Sequence, residues 1–238
     1  MNTDPTHHPD GFPTSQERKS PVNPLRPGEF QQTPKGHDLF LGTQTLPHEL
    51  LFEIGLNAIE DLYYREAVSS FASSLERFLE FAVHVLSNAQ GAGEPALVAS
   101  WKKVSSQSER QLGAYIFLYL VSFGEPASLL NNKMTELRND VVHKGRLPDK
   151  SEAIAFGDAV YKLIQDCVQK LRIRYLEHVN KMLSEHVNGI ARKMGSRYPR
   201  SFQVTSTALN IIQDNLRGYR SFEQILLEHG ISLATSED

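Results

Sequence analysis

Apolar residues recur every three or four positions along much of the chain, a spacing that predicts amphipathic helices. The clearest case runs from Tyr64 to Leu86. Its apolar positions fall on one wide face: Val68, Phe71, Leu75, Phe78, Leu79, Ala82, Val85 and Leu86. We therefore expect a long helix that packs this face against a core.

Three more helices are expected around this one. The first begins at Pro47, before Tyr64, because proline suits a first helical turn, where its missing N–H is not needed. Residues 109–123 contain the most apolar stretch of the chain, residues 115–121, and should form a largely buried helix. Residues 127–143 should form another, with these side chains facing inward: Leu129, Leu130, Met134, Leu137, Val141 and Val142.

A long helix is predicted after the turn at Pro148. Asp149 and Glu152 have the spacing of a capping box, which marks a helix start. The apolar periodicity that follows can run to about Met194, which is long for a globular helix, so we expect it to break or to project. No strand pair and no repeat is evident. The sequence thus predicts an all-α fold, a bundle of four to five helices with a helical C-terminal extension.

The distribution of proline suggests where the folded part begins. Seven of the twelve prolines fall within residues 1–34, among polar residues that offer little to bury. We expect residues 1–44 to be a disordered tail, residues 45–175 to be the helical domain and residues 176–238 to be the extension.

Composition limits the classes of function. The 25 Lys and Arg residues nearly balance the 28 Asp and Glu residues, so binding to nucleic acid would need a local basic patch. Cys167 is the only cysteine and lies in an apolar run, where a buried small side chain is expected rather than a nucleophile. No signal peptide or membrane-spanning run is evident, and we expect a cytoplasmic protein without a membrane partner.

One short motif carries candidate chemistry: Arg138, Asn139 and, five residues after the arginine, His143. A histidine with a pKa near its reference value of about 6.5 can take or give a proton at neutral pH. An arginine can hold two phosphoryl oxygens and stabilise their developing charge. An asparagine amide can orient the phosphate or the imidazole. These residue types suit RNA cleavage by the ribose 2′-hydroxyl, which needs no metal and no other cofactor.

The run from Leu137 to Gly145 resembles the motif of the HEPN family: an arginine, a polar residue, three variable residues and a histidine. Residues 64–76 are similar to the first long helix of that family. The resemblance covers roughly residues 46–175 and implies that the predicted four- to five-helix bundle is HEPN-like. It also implies a metal-independent endoribonuclease, often a toxin or phage-defence effector with an antitoxin or regulatory partner. Family members paired with nucleotidyltransferase antitoxins often have a tyrosine where this chain has Gly145, so modification of such a tyrosine is not implied.

The spacing within the motif adds a geometric expectation. Five residues along a helix rotate by roughly 140°, so Arg138 and His143 should not share one face. Either the helix loosens before Gly145, or two copies of the motif meet across an interface. The resemblance favours both, because HEPN nucleases typically pair as dimers with the two motifs facing one cleft. Such a homodimer would supply one histidine as base and the other as acid.

The acidic residues Glu76 and Glu80 are best interpreted as solvated carboxylates, with the alternative that one of them orients the Arg138 guanidinium. Arg138 could instead pair with Glu136 or Asp140, which would make the motif purely structural.

A basic region near the C-terminus is a second candidate for RNA contact. Residues 189–220 have six basic residues against one acid, and Lys144 and Arg146 add positive charge beside the motif. A solvated basic face explains this charge equally well. The candidate RNA-binding residues are Lys144, Arg146, Arg197, Arg200, Arg217 and Arg220.

Three functions therefore remain open at this point. The first is an endoribonuclease acting on RNA through Arg138, His143 and Asn139. The second is a non-catalytic helical module that binds RNA, a nucleotide or a protein partner. The third is a helical scaffold that assembles through the long helix after Asp149.

Overall fold

The computed structural model describes residues 29–32, 38–194, 200–203, 207–209 and 220–231. Over these residues the chain forms seven helices and three short strands. The helices are α1 (Pro47–Glu60), α2 (Tyr64–Ala89), α3 (Glu94–Val104), α4 (Ser108–Phe123), α5 (Asn132–Lys144), α6 (Lys150–Met194) and α7 (Phe222–Glu228). The strands are β1 (Glu29–Gln32), β2 (Asp38–Thr43) and β3 (Arg200–Gln203).

The chain divides into two compact units. The helical unit comprises residues 44–189 and 204–238, and the sheet unit comprises residues 1–43 and 190–203. The helical unit contains the candidate motif and confirms the expected all-α bundle. None of the helices in the described part of the chain is long and apolar enough to cross a membrane.

The core of the helical unit is built around Phe71 of α2, which is fully buried. Gly55 of α1 and Gly157 of α6 face its ring so closely that an added Cβ would lie 2.5 and 2.8 Å from ring carbons. Phe52 of α1 also packs against this ring, with 4.8 Å between the ring centroids. Small residues on two helices therefore let three helices close around one aromatic ring.

The helix boundaries follow local signals in the sequence. Helix α1 begins at Pro47, as predicted. Just before it, the backbone N–H of Leu46 donates to the Glu49 carboxylate at 2.8 Å. Asp149 and Glu152 form the predicted reciprocal cap of α6, with hydrogen bonds of 2.8 and 3.2 Å. The long helix α6 does break, since Tyr175 leaves helical geometry (φ −134°).

Two expectations about burial need correction. Helix α5 begins at Asn132 rather than at residue 127, and Leu129 is 45% exposed in the preceding loop. Helix α4 is buried on only one face, and Phe117 and Val121 on its other face are exposed. Cys167 is buried as expected, and this burial raises the pKa of its thiol to about 12.

The sheet unit corrects the expectation that no strands pair. Strands β1 and β2 are antiparallel with Phe30 opposite Phe40, and β3 joins β2 in parallel with Arg200 opposite Phe40. Two of these strands lie within the span predicted as a disordered tail. The other residues of that span up to residue 37 lie outside the described residues.

The C-terminal segment of the helical unit is held to the bundle by polar contacts. The Tyr161 hydroxyl donates to the backbone oxygen of Arg220 at 2.8 Å. His229 lies 3.1 Å from Glu53 of α1, and the same carboxylate accepts the backbone N–H of Ala208. Beneath these contacts four apolar side chains are buried: Phe222, Ile225, Leu226 and Ile231.

Candidate active site

Helix α5 presents the motif because its other face is anchored in the core. The side chain of Asn131 caps the helix by accepting the Met134 N–H at 2.9 Å. Met134, Leu137 and Val141 are buried. Their spacing fixes the helix rotation, which leaves Arg138 and Asn139 partly exposed and His143 fully at the surface.

Gly145 ends α5 immediately after the motif. Its φ of 73° lies in the left-handed region, which glycine adopts at little cost. The backbone N–H of Arg146 then donates to the backbone oxygen of Asp140 at 3.1 Å. The helix therefore stays helical through His143 and Lys144 and does not loosen before the turn.

The guanidinium of Arg138 contacts three other polar side chains at once. One of its terminal nitrogens, Nη2, donates to Glu76 Oε1 at 2.6 Å. The other, Nη1, donates to Asn139 Oδ1 at 2.9 Å and lies 3.3 Å from His143 Nε2. The Arg138 side chain is 23% exposed, so it is only partly shielded from solvent.

This arrangement corrects the geometric expectation from the sequence. Arg138 and His143 do leave the helix in different directions, yet the long arginine side chain reaches across to the imidazole. Neither a loosened helix nor a second copy of the motif is needed to bring the two groups together.

A guanidinium can only donate, so the contact between Arg138 and His143 is a hydrogen bond only when His143 Nε2 carries a lone pair. That lone pair then accepts from the guanidinium. Nε2 can take a proton from a substrate once a ligand replaces it beside Arg138.

The two candidate glutamates on α2 have different partners. Glu76 pairs with Arg138, which was the less favoured expectation. Glu80 instead accepts a hydrogen bond from the Trp101 indole at 2.9 Å and pairs with Arg77. Neither Glu136 nor Asp140 pairs with Arg138, so the alternative of a purely structural pairing within α5 does not occur.

The charges beside the motif are tied together. Lys144 pairs with Asp140 at 2.8 Å, and this hydrogen bond, more than the charge of Arg146, lowers the pKa of the Asp140 carboxyl. Arg146 lies between Asp140 and Glu152 and pairs with both. Lys144 is still 74% exposed, so a phosphate could reach it.

A cavity of about 280 Å³ opens beside the guanidinium of Arg138. Helices α2 and α6 supply apolar walls, among them Leu75, Leu79, Phe156 and Leu163. Its polar lining comes from three helices: Glu76, Ser108, Glu109, Thr135, Arg138 and Asn139. The motif therefore stands at the edge of a pocket rather than on a flat surface.

Among the predicted RNA-binding residues of the C-terminal region, only Arg220 has a described side chain. Arg220 is only 15% exposed, pairs with Glu228 and donates to the backbone oxygen of Thr207. Its guanidinium therefore stabilises the fold. Arg200 lies on β3, in the sheet unit. Arg197 and Arg217 lie outside the described residues.

Several residues of the site carried no local signal in the sequence. Ser108 and Glu109 begin α4, and Thr135 is an exposed position of α5, which are ordinary places for such residues. Only the packing of α2, α4 and α5 brings them beside Arg138.

Comparisons of the chain with protein-family models, with curated proteins and with solved structures found no match. The resemblance to HEPN proteins therefore depends on the motif residues and their helical setting.

Proposed function

We propose that this protein is a metal-independent endoribonuclease whose catalytic residues are Arg138 and His143, supported by Asn139. The observation that carries the proposal is the hydrogen-bond distance of 3.3 Å between the guanidinium of Arg138 and His143 Nε2. A fixed cation and a proton acceptor then lie side by side, as in-line cleavage of a phosphodiester requires.

The chemistry follows from these two groups. When a phosphate oxygen replaces His143 Nε2 beside the guanidinium, the lone pair of Nε2 is released and removes the proton of the adjacent 2′-hydroxyl. The 2′-oxygen then attacks phosphorus, and the P–O5′ bond breaks. The products are a 2′,3′-cyclic phosphate and a 5′-hydroxyl. Arg138 stabilises the charge on the phosphoryl oxygens, while Glu76 and Asn139 hold the guanidinium in place.

A homodimer would complete this scheme, because the departing 5′-oxygen needs a proton from a second acid. Helix α4 supports an association of this kind. It has no charged side chain between Gln111 and Phe123, and Phe117, Leu120 and Val121 are exposed on its outer face. A helix that is apolar on all sides is normally covered on all sides.

Because the proposed substrate is cellular RNA, we propose that the protein acts in the cytoplasm. A role as a toxin or phage-defence effector, with an antitoxin or regulatory partner, is part of the proposal and depends on the resemblance of the motif alone.

The decisive experiment replaces His143 with alanine. We expect the H143A variant to cleave RNA about 10²–10⁴ times more slowly, because a positioned acid or base contributes that much. Cleavage of total RNA in the presence of EDTA should show the loss, and circular dichroism should show an unchanged fold.

His178, which lies on α6 and contacts Tyr175, provides the matched control. The H178A variant should cleave RNA at the rate of the wild-type protein. Equal rates for H143A and the wild-type protein would refute the proposed mechanism.

One observation favours a second candidate, a non-catalytic module that binds RNA or another partner. Arg138 already has a carboxylate partner in Glu76, and a phosphate must compete with that ion pair. If the wild-type protein binds RNA without cleaving it, and H143A binds equally well, this second function is the correct one.

A further inference from the structure

The cavity beside the motif has the two kinds of surface that a nucleobase needs. A base has flat apolar faces and a polar edge, and base pockets hold the faces between apolar side chains while polar groups read the edge. Here α2 and α6 supply the apolar walls, and the first turn of α4 together with α5 supplies the polar groups.

The size of the cavity limits its occupant. Its volume of about 280 Å³ lies just below the usual range for small-molecule sites, which is roughly 300–1,000 Å³. There is room for one ring system but not for a whole nucleotide. The ribose and phosphate would remain at the mouth, where Arg138 and Asn139 line both the cavity and the motif.

The polar lining favours a base that presents N–H donors. Glu109 is exposed and has no hydrogen-bond or ion-pair partner among the described residues. Glu76 binds Arg138 through one oxygen, and its other oxygen has no partner in the described structure. Guanine has two neighbouring donors, N1–H and the 2-amino group, which a carboxylate can accept together. Uracil offers a single donor between two carbonyl oxygens.

We infer that this cavity binds the base next to the scissile phosphate and prefers guanine, which Glu109 recognises. This inference rests on the proposed ribonuclease function. The ribose of the bound guanosine lies at the mouth of the cavity and brings the adjacent phosphate to Arg138.

Short RNAs with one variable position in a uridine tract test the preference. We expect cleavage beside guanosine to be about tenfold faster than beside uridine, a typical discrimination for a paired hydrogen-bond contact. Inosine, which keeps N1–H but lacks the 2-amino group, should give an intermediate rate. Equal rates at guanosine and uridine would overturn the inference and leave the proposed ribonuclease function intact.

The variant E109Q tests the assigned residue. Glutamine cannot accept two donors through two oxygens, so the ratio of guanosine to uridine cleavage should fall to about two or less. Glu136 is exposed on α5, does not line the cavity and serves as the matched control. The E136Q variant should keep both the rate and the preference. A preference that survives in E109Q would contradict the role of this carboxylate.

A binding experiment separates the inference from the proposed chemistry. In oligonucleotides with a 2′-deoxy sugar at the variable position, the 2′-hydroxyl nucleophile is missing, so fluorescence anisotropy reports affinity alone. The guanine-containing oligonucleotide should bind the wild-type protein about tenfold more tightly than the uracil-containing one, and E109Q should remove the difference. If this holds while no RNA is cleaved, the proposed nuclease function fails and the base pocket stands. Equal affinities would overturn the pocket.

Discussion

The side chain of Arg138 combines tasks that no other residue type could perform at that position. Its planar guanidinium donates to Glu76 in one direction and to Asn139 in another, and it lies beside His143. A lysine ammonium is a compact charge at the end of a flexible chain and lacks this fixed fork of donors. The position of the cation relative to the imidazole therefore depends on arginine and not on positive charge alone.

Replacing Arg138 with lysine should therefore impair cleavage although the charge is kept. We expect the rate to fall by about 10²–10³-fold, as when one aligned transition-state donor is removed. Initial rates on a defined RNA measure the effect, and urea unfolding shows whether the fold is kept. Full activity in R138K would mean that the fork of donors is unimportant.

Glu76 should have a smaller effect because it does not touch the RNA in the proposed mechanism. Glutamine at this position keeps an acceptor for Arg138 but loses the charge, and we expect about a tenfold lower rate from a less well held guanidinium. The variant E66Q is the matched control. It removes the carboxylate of Glu66, an exposed residue of α2 that pairs with Arg65. That variant should cleave RNA at the rate of the wild-type protein.

The residues of the motif could be identified from the sequence, but their contacts could not. Arg138, Asn139 and His143 are close along one helix, but the five-residue spacing places Arg138 and His143 on different faces and does not predict their contact. Glu76 is 62 positions away from its partner, and only the docking of α2 against α5 selects it over Glu80. The reach of an arginine side chain across a helix surface is likewise a matter of rotamer, which spacing along the chain does not determine.

At the scale of secondary-structure elements, the attachment of the short C-terminal helix α7 to α1 involves a titratable contact between His229 and Glu53. His229 Nδ1 lies 2.9 Å from the backbone oxygen of Ile225, and Nε2 lies 3.1 Å from Glu53. Both partners are acceptors, so both ring nitrogens must donate, and the imidazole is held in its charged form. Hydrogen bonding to Glu53 is the main cause that raises the pKa of His229 above 6.5.

This contact predicts how stability changes with pH. Because the folded pKa is raised, the stabilisation is complete below 6.5 and is lost as the pH rises through the folded value. The free energy of unfolding in urea should therefore fall as the pH rises above about 6.5. In H229Q this part of the fall should disappear, whereas H178Q should keep it. An identical pH profile in H229Q and the wild-type protein would contradict the assignment.

Local signals predicted the helices better than the strands. The proline at the start of α1 and the capping box of α6 act within four residues, and both were read correctly from the sequence. The pairing of β2 with β3 joins Phe40 to Arg200, and nothing near either strand indicates its partner. The start of α5 was predicted too early because apolar Leu129 and Leu130 continue its periodicity into a loop.

For the molecule as a whole, the outer face of α4 suggests how copies associate. If two copies pair through this face, introducing a charge there should separate them, since an unpaired charge at an apolar interface is costly. We expect the variant F117E to be monomeric in sedimentation experiments while the wild-type protein is dimeric.

Leu147 provides the matched control, because it is 79% exposed on a turn outside α4. The variant L147E should remain dimeric. A dimer in F117E, or a monomer in L147E, would show that the association uses another surface.

The ion pair between Glu76 and Arg138 also has a consequence for fragments of this protein. The motif and its flanking caps fit within residues 131–149, yet the carboxylate that orients the arginine belongs to another helix. A synthetic peptide of those residues would keep the arginine, the asparagine and the histidine and still lack the organised site. If a protease cuts the chain between α2 and α5 and the two helices separate, we expect the proposed RNA cleavage to be lost although the motif itself is intact.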